Sequence, residues 1–370
     1  MRPLTYLTFD SLQEGVGASQ ALAYVLKIAQ HREVRVISFE KMAASSRLID
    51  TMANNKVIWE PLEFGNFGVF GGISRVFRMA REIDKGSIVH ARGNLSAISA
   101  LIGRSRRWIW DCRSMHSDQR LALSNSKNRK LIYVAMRVIE MLLAKFSSRI
   151  IVITNSVKSE FVLRYKIPTA KMQMISTCTD IEKFEKTEFP SFEKIRILLS
   201  GTFSPAYDLT LINKIIHEMR IRTSVHVTVA ASLGATDSWK NIPYDEFVSV
   251  PHNAMPDLIA RAHCGFSIWN NNLGVCLTSV ASTKTAEFLS MGRPVFINSK
   301  QGDFKDLFDF YGIGVVTDES DDESVKIYVD KMFSLLASSD TNEKCHRLAA
   351  DNFSLEDGVI KLLKIYNELD

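Results

Sequence analysis

The sequence predicts an α/β protein of two tandem doubly wound domains facing a cleft, and three observations carry that prediction. Short apolar runs alternate with longer segments of helical period almost from end to end, the pattern of parallel strands joined by helical crossovers. A length of 370 residues exceeds what one hydrophobic core usually spans. The alternation is broken once, by Thr187-Glu188-Phe189-Pro190-Ser191-Phe192, before a new apolar run opens at Ile195.

In the first half, apolar and β-branched runs predict strands at Leu4–Phe9, Val34–Phe39, Val57–Pro61, Ile88–Ala91, Trp108–Asp111 and Ile150–Thr154. Helices are expected over Ser19–Gln30, Ser74–Ile83 and Lys130–Lys145, and up to Tyr165 from a start capped by Asn155 and Ser156, whose side chains can accept first-turn amides. The second half predicts strands at Ile195–Ser200, Val225–Ala230, Phe247–Val250, Gly265–Trp269 and Pro294–Ile297. Its helices are expected over Leu209–Met219, Met255–Ala262, Thr283–Met291, Asp321–Leu336 and Ser354–Leu369. The domains are therefore expected over 1–190 and 191–350, with 351–370 a helix that packs near or crosses back to the first domain. Ligands of such sheets bind outside the carboxyl ends of the strands, which makes the cleft the expected site.

Five cysteines lie far apart without paired metal spacing, which argues against zinc and against a disulfide framework and predicts a reducing, cytoplasmic setting. Met1–Phe9 runs into a strand without the features of a signal peptide. No uncharged apolar run approaches the roughly 18 residues of a membrane span. Charge is concentrated: residues 101–150 hold eleven Lys and Arg against Asp111, Asp118 and Glu140. With Trp108 and Trp110 beside it, this block suits an anionic membrane surface on the inner face of the plasma membrane, or a polyanionic acceptor, and reads equally as a solvated face. No nucleic-acid motif accompanies the charge. The acidic run 318–323 reads as a charged helix start rather than a metal site.

The most specific stretch is Ser282-Thr283-Lys284-Thr285-Ala286-Glu287, continuing to Gly292-Arg293-Pro294. Hydroxyl residues open a helix whose first amides can hold an anion, Lys284 adds positive charge, and Glu287, one turn inside, can accept from a ribose. Two further polar groups follow predicted strands: His90-Ala91-Arg92-Gly93-Asn94, where His90 reads as structural, and Asp111-Cys112-Arg113-Ser114-Met115-His116-Ser117-Asp118, where Arg113, His116 and Asp118 cluster in an expected loop.

The 282–294 stretch resembles the donor-binding signature of glycosyltransferase family 4, in the variant branch with Ser-x-Lys before the glutamate helix. The family's frequent second glutamate falls here at Ser279. Ile151–Ser156, Tyr165–Pro168 and Met174–Phe184 resemble the family's strand, cap and interdomain run. Gly201 and Thr202 stand where its second glycine loop does, without the basic residue that often follows, a role for which Lys284 can substitute. Gly15, Gly17 and Ser19 resemble its first glycine-rich loop, with Ser19 the expected helix cap. The resemblance implies the GT-B fold, two Rossmann-like domains, and a retaining, metal-independent transferase. It would move sugar from a nucleotide-sugar donor to a polysaccharide or lipid-linked glycan in bacterial envelope synthesis, with no cofactor. Ser282, Thr283, Lys284, Thr285, Glu287, Gly201 and Thr202 would hold the donor. Asp111, Arg113 and His116 would be catalytic, and Gly15, Gly17, Ser19, Arg92 and Asp118 would contact acceptor or phosphate. A nucleotide-sugar 2-epimerase of the same architecture and a non-catalytic, degenerate transferase subunit are the alternatives.

Overall fold

The structure is a computed structural model that describes residues 1–124, 126–231 and 237–370. It divides into two compact units, Met1–Ser176 together with Leu355–Asp370, and Thr177–Ser354. The first unit runs β1 (Leu4–Thr8), α1 (Leu22–Ala29), β2 (Val34–Glu40), α2 (Ser46–Asn54), β3 (Val57–Glu63), α3 (Gly68–Arg81), β4 (Ile88–Arg92), α4 (Gly93–Ile102), β5 (Trp108–Cys112), α5 (His116–Leu123), α6 (Arg129–Phe146), β6 (Arg149–Val152), α7 (Asn155–Tyr165) and β7 (Met172–Met174). Among the described residues its strands form one parallel sheet in the order β3-β2-β1-β4-β5-β6-β7. Every residue of β1, β4 and β5 is buried, as expected of central parallel strands covered by helices on both faces.

The second unit runs β8 (Ile195–Ser200), α8 (Leu209–Arg222), β9 (Val225–Ala230), β10 (Glu246–Val248), α9 (Met255–Ala260), β11 (Cys264–Ser267), α10 (Thr283–Ser290), β12 (Val295–Asn298), α11 (Phe304–Tyr311), β13 (Val315–Thr317), α12 (Asp322–Ala337) and α13 (Thr341–Phe353). Its parallel sheet has the order β10-β9-β8-β11-β12-β13. The period of two divides β8 between two cores: Ile197 and Leu199 join Phe266 and Phe296 on one face, and Leu198 joins Val295 and Ile297 on the other. α14 (Leu355–Asn367) then returns to the first unit. Its buried stripe of Leu355, Val359, Leu362, Ile365 and Tyr366 follows the helical repeat, and it packs against α1.

Several local expectations are corrected. Ser19 does not cap the first helix: the chain is already turning in a π-helical segment, Gly17–Ala21, that leads into α1, and Ser19 lies inside it. The cap of α7 is Thr154, whose hydroxyl accepts from the Val157 amide at 3.0 Å, one residue before Asn155 and Ser156. The supposed loop at 111–118 is a strand end, a three-residue connection and a helix start, because β5 runs to Cys112 and α5 opens at His116. Trp108 and Trp110 are core residues, not surface aromatics, since β5 is central and buried on both faces. Residues 177–190, expected in the first domain, belong to the second unit. Arg293 anchors them there: its fully buried guanidinium donates to the carbonyls of Thr187 at 2.8 Å, Glu188 at 2.7 Å and Ala260 at 3.2 Å. All five cysteines are buried, free thiols, and the acidic run 318–323 supplies the cap of α12, Asp321 accepting from the amides of Glu323 and Ser324.

Tyr366 on α14 ties that helix to the sheet by a buried hydrogen bond, its hydroxyl lying 2.7 Å from His90 Nδ1. A Tyr366→Phe substitution leaves that ring nitrogen unpaired in the core, which costs about 1–3 kcal/mol, while Tyr366→Ala also opens a cavity and should cost about 3–5 kcal/mol. Urea denaturation followed by circular dichroism checks this; a Tyr366→Phe protein as stable as wild type would show that the bond contributes nothing.

Candidate functional site

In a doubly wound sheet the crevice for ligands lies at the carboxyl ends of the two strands between which the order reverses. That point falls between β1 and β4 in the first unit and between β8 and β11 in the second. A cluster of polar side chains occupies each.

In the second unit, the loop after β8 and the start of α10 converge. Lys284 Nζ donates to the Ser200 carbonyl at 3.1 Å and lies 3.2 Å from the Tyr207 hydroxyl. It sits 4.4 Å from the centre of the Tyr207 ring and 5.8 Å from that of Trp269, and these two rings stack at 4.5 Å. The ammonium is thus held by a carbonyl, a phenol and two aromatic faces. Burial pushes its pKa down to about 7, against the opposing pull of Glu287. A cation so enclosed is stabilised by an arriving anion. Gly201 makes room for it: at φ +140 the residue adopts backbone that favours glycine, and a Cβ there would lie 2.8 Å from the Tyr207 hydroxyl and 3.6 Å from Lys284 Nζ. Two residues on, the buried Phe203 is held at φ +46, a conformation costly for a bulky side chain and typical of loops shaped for binding.

Glu287 lies one turn inside α10, buried, with its Oε1 2.7 Å from His252 Nε2. His252 keeps about a third of its side chain exposed and packs its ring 5.6 Å from Phe184. It gives Glu287 a fixed orientation and did not stand out in the sequence, since the two are 35 positions apart. Ser282 is the N-cap of α10, but its side chain makes no capping bond; Thr283 begins the helix, and Thr285 is fully buried, with a hydroxyl that has no partner among the described residues. Thr202 is exposed beside Gly201.

In the first unit, Asp111 at the end of β5 is enclosed by three basic groups. Its Oδ2 is 3.3 Å from His90 Nε2 and 3.6 Å from Arg92, and its Oδ1 is 3.4 Å from Arg113. Burial alone would raise its pKa, but Arg113, the His90 hydrogen bond and Arg92 together outweigh this and hold the carboxyl well below the usual carboxylate range. An ionised Asp111 accepts from His90 Nε2–H, which leaves Nδ1 to accept from Tyr366 and makes His90 structural. Tyr6 stacks on the imidazole at 4.5 Å, and burial pushes its hydroxyl up to about 12. Arg92 is buried and reaches Asp10 at 3.4 Å and Gln20 Oε1 at 2.6 Å; the same Gln20 oxygen accepts from Arg113 at 3.3 Å. Two guanidinium groups are thereby set side by side, Arg92 sealed and Arg113 about 15% exposed. Such a pair suits an anion or a pair of sugar hydroxyls.

The remaining candidates are placed elsewhere or differently. Asp118, on α5, is paired with Arg164 at 2.6 Å. His116, the first residue of α5, lines a small recess with Gln119, Arg120 and Leu123, and burial with nearby Arg120 lowers its pKa. Asp111 itself, strongly acidic and enclosed, is suited to positioning Arg113 and not to accepting a proton. In the first glycine loop, Glu40 accepts from Ser11 Oγ at 2.5 Å and the Leu12 amide at 3.0 Å. The chain folds back so tightly that a Cβ on Gly17 would lie 1.9 Å from the Ser11 carbonyl oxygen, while Gly15 has φ +59. Gln20, Asp10, Tyr207 and Trp269 are the cluster members, besides His252, that sequence reasoning missed.

No known family model and no curated protein matches the sequence. Solved structures match it over almost its whole length. A glycosyltransferase from Rickettsia africae shares 13% identity at a TM-score of 0.72, covering 100% of this chain and 98% of its own. Sucrose-phosphate synthase from Thermosynechococcus elongatus shares 12% at 0.73, covering 100% and 99%. The Anabaena protein Alr3699/HepE, in complex with UDP and glucose, shares 14% at 0.70, covering 98% and 99%. Likeness at such identities is likeness of fold, and the two parallel-sheet α/β units of this chain have the fold of the GT-B glycosyltransferases.

Proposed function

We propose that the chain is a retaining, metal-independent glycosyltransferase that moves sugar from a nucleotide-sugar donor to a polysaccharide or lipid-linked glycan of the bacterial envelope, working at the cytoplasmic face of the membrane. The observation that carries this reading is the second unit's cluster: an enclosed Lys284 and a buried, oriented Glu287 on one helix, at the point where the strand order reverses. A nucleoside diphosphate offers what each group lacks, phosphate charge for Lys284 and ribose hydroxyls for Glu287. The UDP and glucose held by the Anabaena protein of like fold support the same class of donor. Ser282, Thr283, Thr285, Gly201 and Thr202 would complete that site.

Transfer then rests on electrostatics. Lys284 and the first amides of α10 stabilise the departing diphosphate, and the acceptor hydroxyl attacks the anomeric carbon from the same face and gives its proton to the diphosphate oxygen that leaves, so no covalent nucleophile is required. Arg113, held out by Asp111 and Gln20, binds the acceptor or the reacting sugar. Gly15, Gly17, Ser19, Arg92 and Asp118 would contact the acceptor or a phosphate, and His116 would act with Arg113 and Asp111 at the reacting centre. The transferase reading is tested by incubating the protein with nucleotide sugars with and without glycan acceptors. Conversion of the sugar with no acceptor present would identify an epimerase, and binding without turnover in either case a non-catalytic subunit.

Separate sites give separable defects. Glu287→Ala should weaken nucleotide binding on the order of 10- to 100-fold, the worth of a charged hydrogen bond. Arg113→Ala should leave that affinity within about threefold while lowering transfer. Titration calorimetry and a transfer assay on folded variants decide: unchanged affinity in the first, or wild-type transfer in the second, refutes the corresponding assignment.

The depressed Lys284 also predicts a pH dependence. The free protein loses this proton near pH 7, and a bound diphosphate raises the pKa, so the complex keeps a proton that the free protein has released. Affinity is therefore full below about pH 7 and falls toward tenfold per unit above it. Measured from about pH 7 to about pH 9, beyond the titration of the phosphates themselves, the decline should vanish in Lys284→Met; an equal decline in that variant would place its origin in another group.

A further inference from the structure

In the first unit, α6 is turned inside out. Its buried positions are Glu140, Leu143 and Ala144, while Leu131, Val134, Val138 and Met141 form an exposed stripe at helical spacing, with Leu131 72% exposed. Water-facing helices ordinarily carry the reverse pattern. Glu140 fixes this rotation. Its carboxylate accepts from the Ser117 amide at 2.9 Å, the Ser117 hydroxyl at 2.7 Å, Tyr165 at 2.8 Å and Asn94 at 3.3 Å, bonds that would all break if the helix rolled to hide its apolar side.

Exposed apolar side chains also lie on a second helix of this unit. α4 packs against both α6 and α3, and α5 against α6. At the start of α3, Phe67, Val69 and Phe70 project into solvent, Phe70 being 88% exposed. A groove of about 550 Å³ runs between α3, α4 and α5, lined by Val69, Ile73, Phe77, Leu95 and Ile102, with Arg120 at its side. Along these elements basic residues outnumber acids. From Gln119 to Arg149 the only acidic residue is the buried Glu140, against Arg120, Lys127, Arg129, Lys130, Arg137, Lys145 and Arg149. Between Phe64 and Arg81 there is none, against Arg78 and Arg81 beside the buried Arg75, with Glu63 and Glu82 flanking the stretch.

We infer that this face of the first unit, α6 together with the start of α3, docks on an anionic lipid bilayer. Protruding phenylalanines and an apolar stripe, bordered mainly by arginines and lysines, match acyl chains beneath anionic headgroups. An 18-residue helix lying flat spans about 27 Å of interface. Among the described residues no helix is long and apolar enough to cross a membrane, so attachment here is to the surface. The inference stands independently of the transferase reading, because lipid binding is read without donor or acceptor.

The test is flotation of the full chain with vesicles of neutral phosphatidylcholine and with vesicles carrying about one-third phosphatidylglycerol. Binding should be at least tenfold stronger to the anionic vesicles and should fall at least tenfold as salt rises from about 0.05 M to about 0.3 M, since screening shortens with salt. The exposed pair Phe67→Ser and Phe70→Ser should remove at least tenfold of the binding with unchanged circular dichroism and melting. Arg129→Glu with Lys130→Glu should abolish the preference for anionic lipid. Equal binding to both vesicles, or none to either, overturns the inference. So does self-association in gel filtration that the phenylalanine substitutions abolish while vesicle binding stays absent, which would make the face a contact between copies.

Discussion

A parallel sheet covered by helices on both faces leaves polar chemistry one outlet, the carboxyl edge, and the widest opening there is where the strand order reverses. The structure depends on that constraint twice. β1, β4 and β5 are buried along their whole length, so His90, Arg92 and Asp111 cannot reach water through the sheet and must satisfy one another at its rim. The same holds for Ser200 and Lys284 beside β8. What looks like a collection of separate polar residues is therefore a consequence of topology: each unit gathers its charged groups at the one place where they can be partly solvated.

Two buried acids of the first unit show how differently such a group can be used. Asp111 sits among cations, and its negative charge offsets theirs and holds Arg113 at the edge. Glu140 is surrounded by neutral donors instead, an amide, two hydroxyls and a carboxamide, and what it specifies is the orientation of a helix. Buried charge is a costly way to gain stability; in both places it selects one geometry among several that packing alone would permit.

Much of this was legible in the sequence, and the failures have identifiable causes. Strands buried on both faces read as continuous apolar runs, so the strand-helix alternation and the tandem units could be seen, and the hydroxyl-rich start of α10 with Glu287 lay in one contiguous stretch. Trp108 and Trp110 were misjudged because their chain neighbours are basic, whereas the sheet that encloses them is assembled from remote segments. α13 escaped notice because Thr341–Phe353 is mostly polar and its apolar contacts are contributed by other elements. α5 is short and follows directly on a polar strand end, which favoured reading a loop. His252 and Gln20 carry no signal of their own: one acquires its meaning from Glu287, the other from two arginines 72 and 93 positions away.

The return of α14 also sets an order of assembly. The last strand of the first sheet is translated by Met174, yet the tyrosine that meets His90 follows only after the whole second unit. At roughly 5–20 residues per second, the intervening stretch of about 190 residues takes on the order of 10–40 s to make. Throughout that interval the nascent first unit has its seven strands but neither the apolar stripe that covers α1 nor the hydroxyl that completes the histidine. Ribosome stalling anywhere inside the second unit would therefore release a first unit with a finished sheet and an open side, the species most exposed to chaperones and to aggregation.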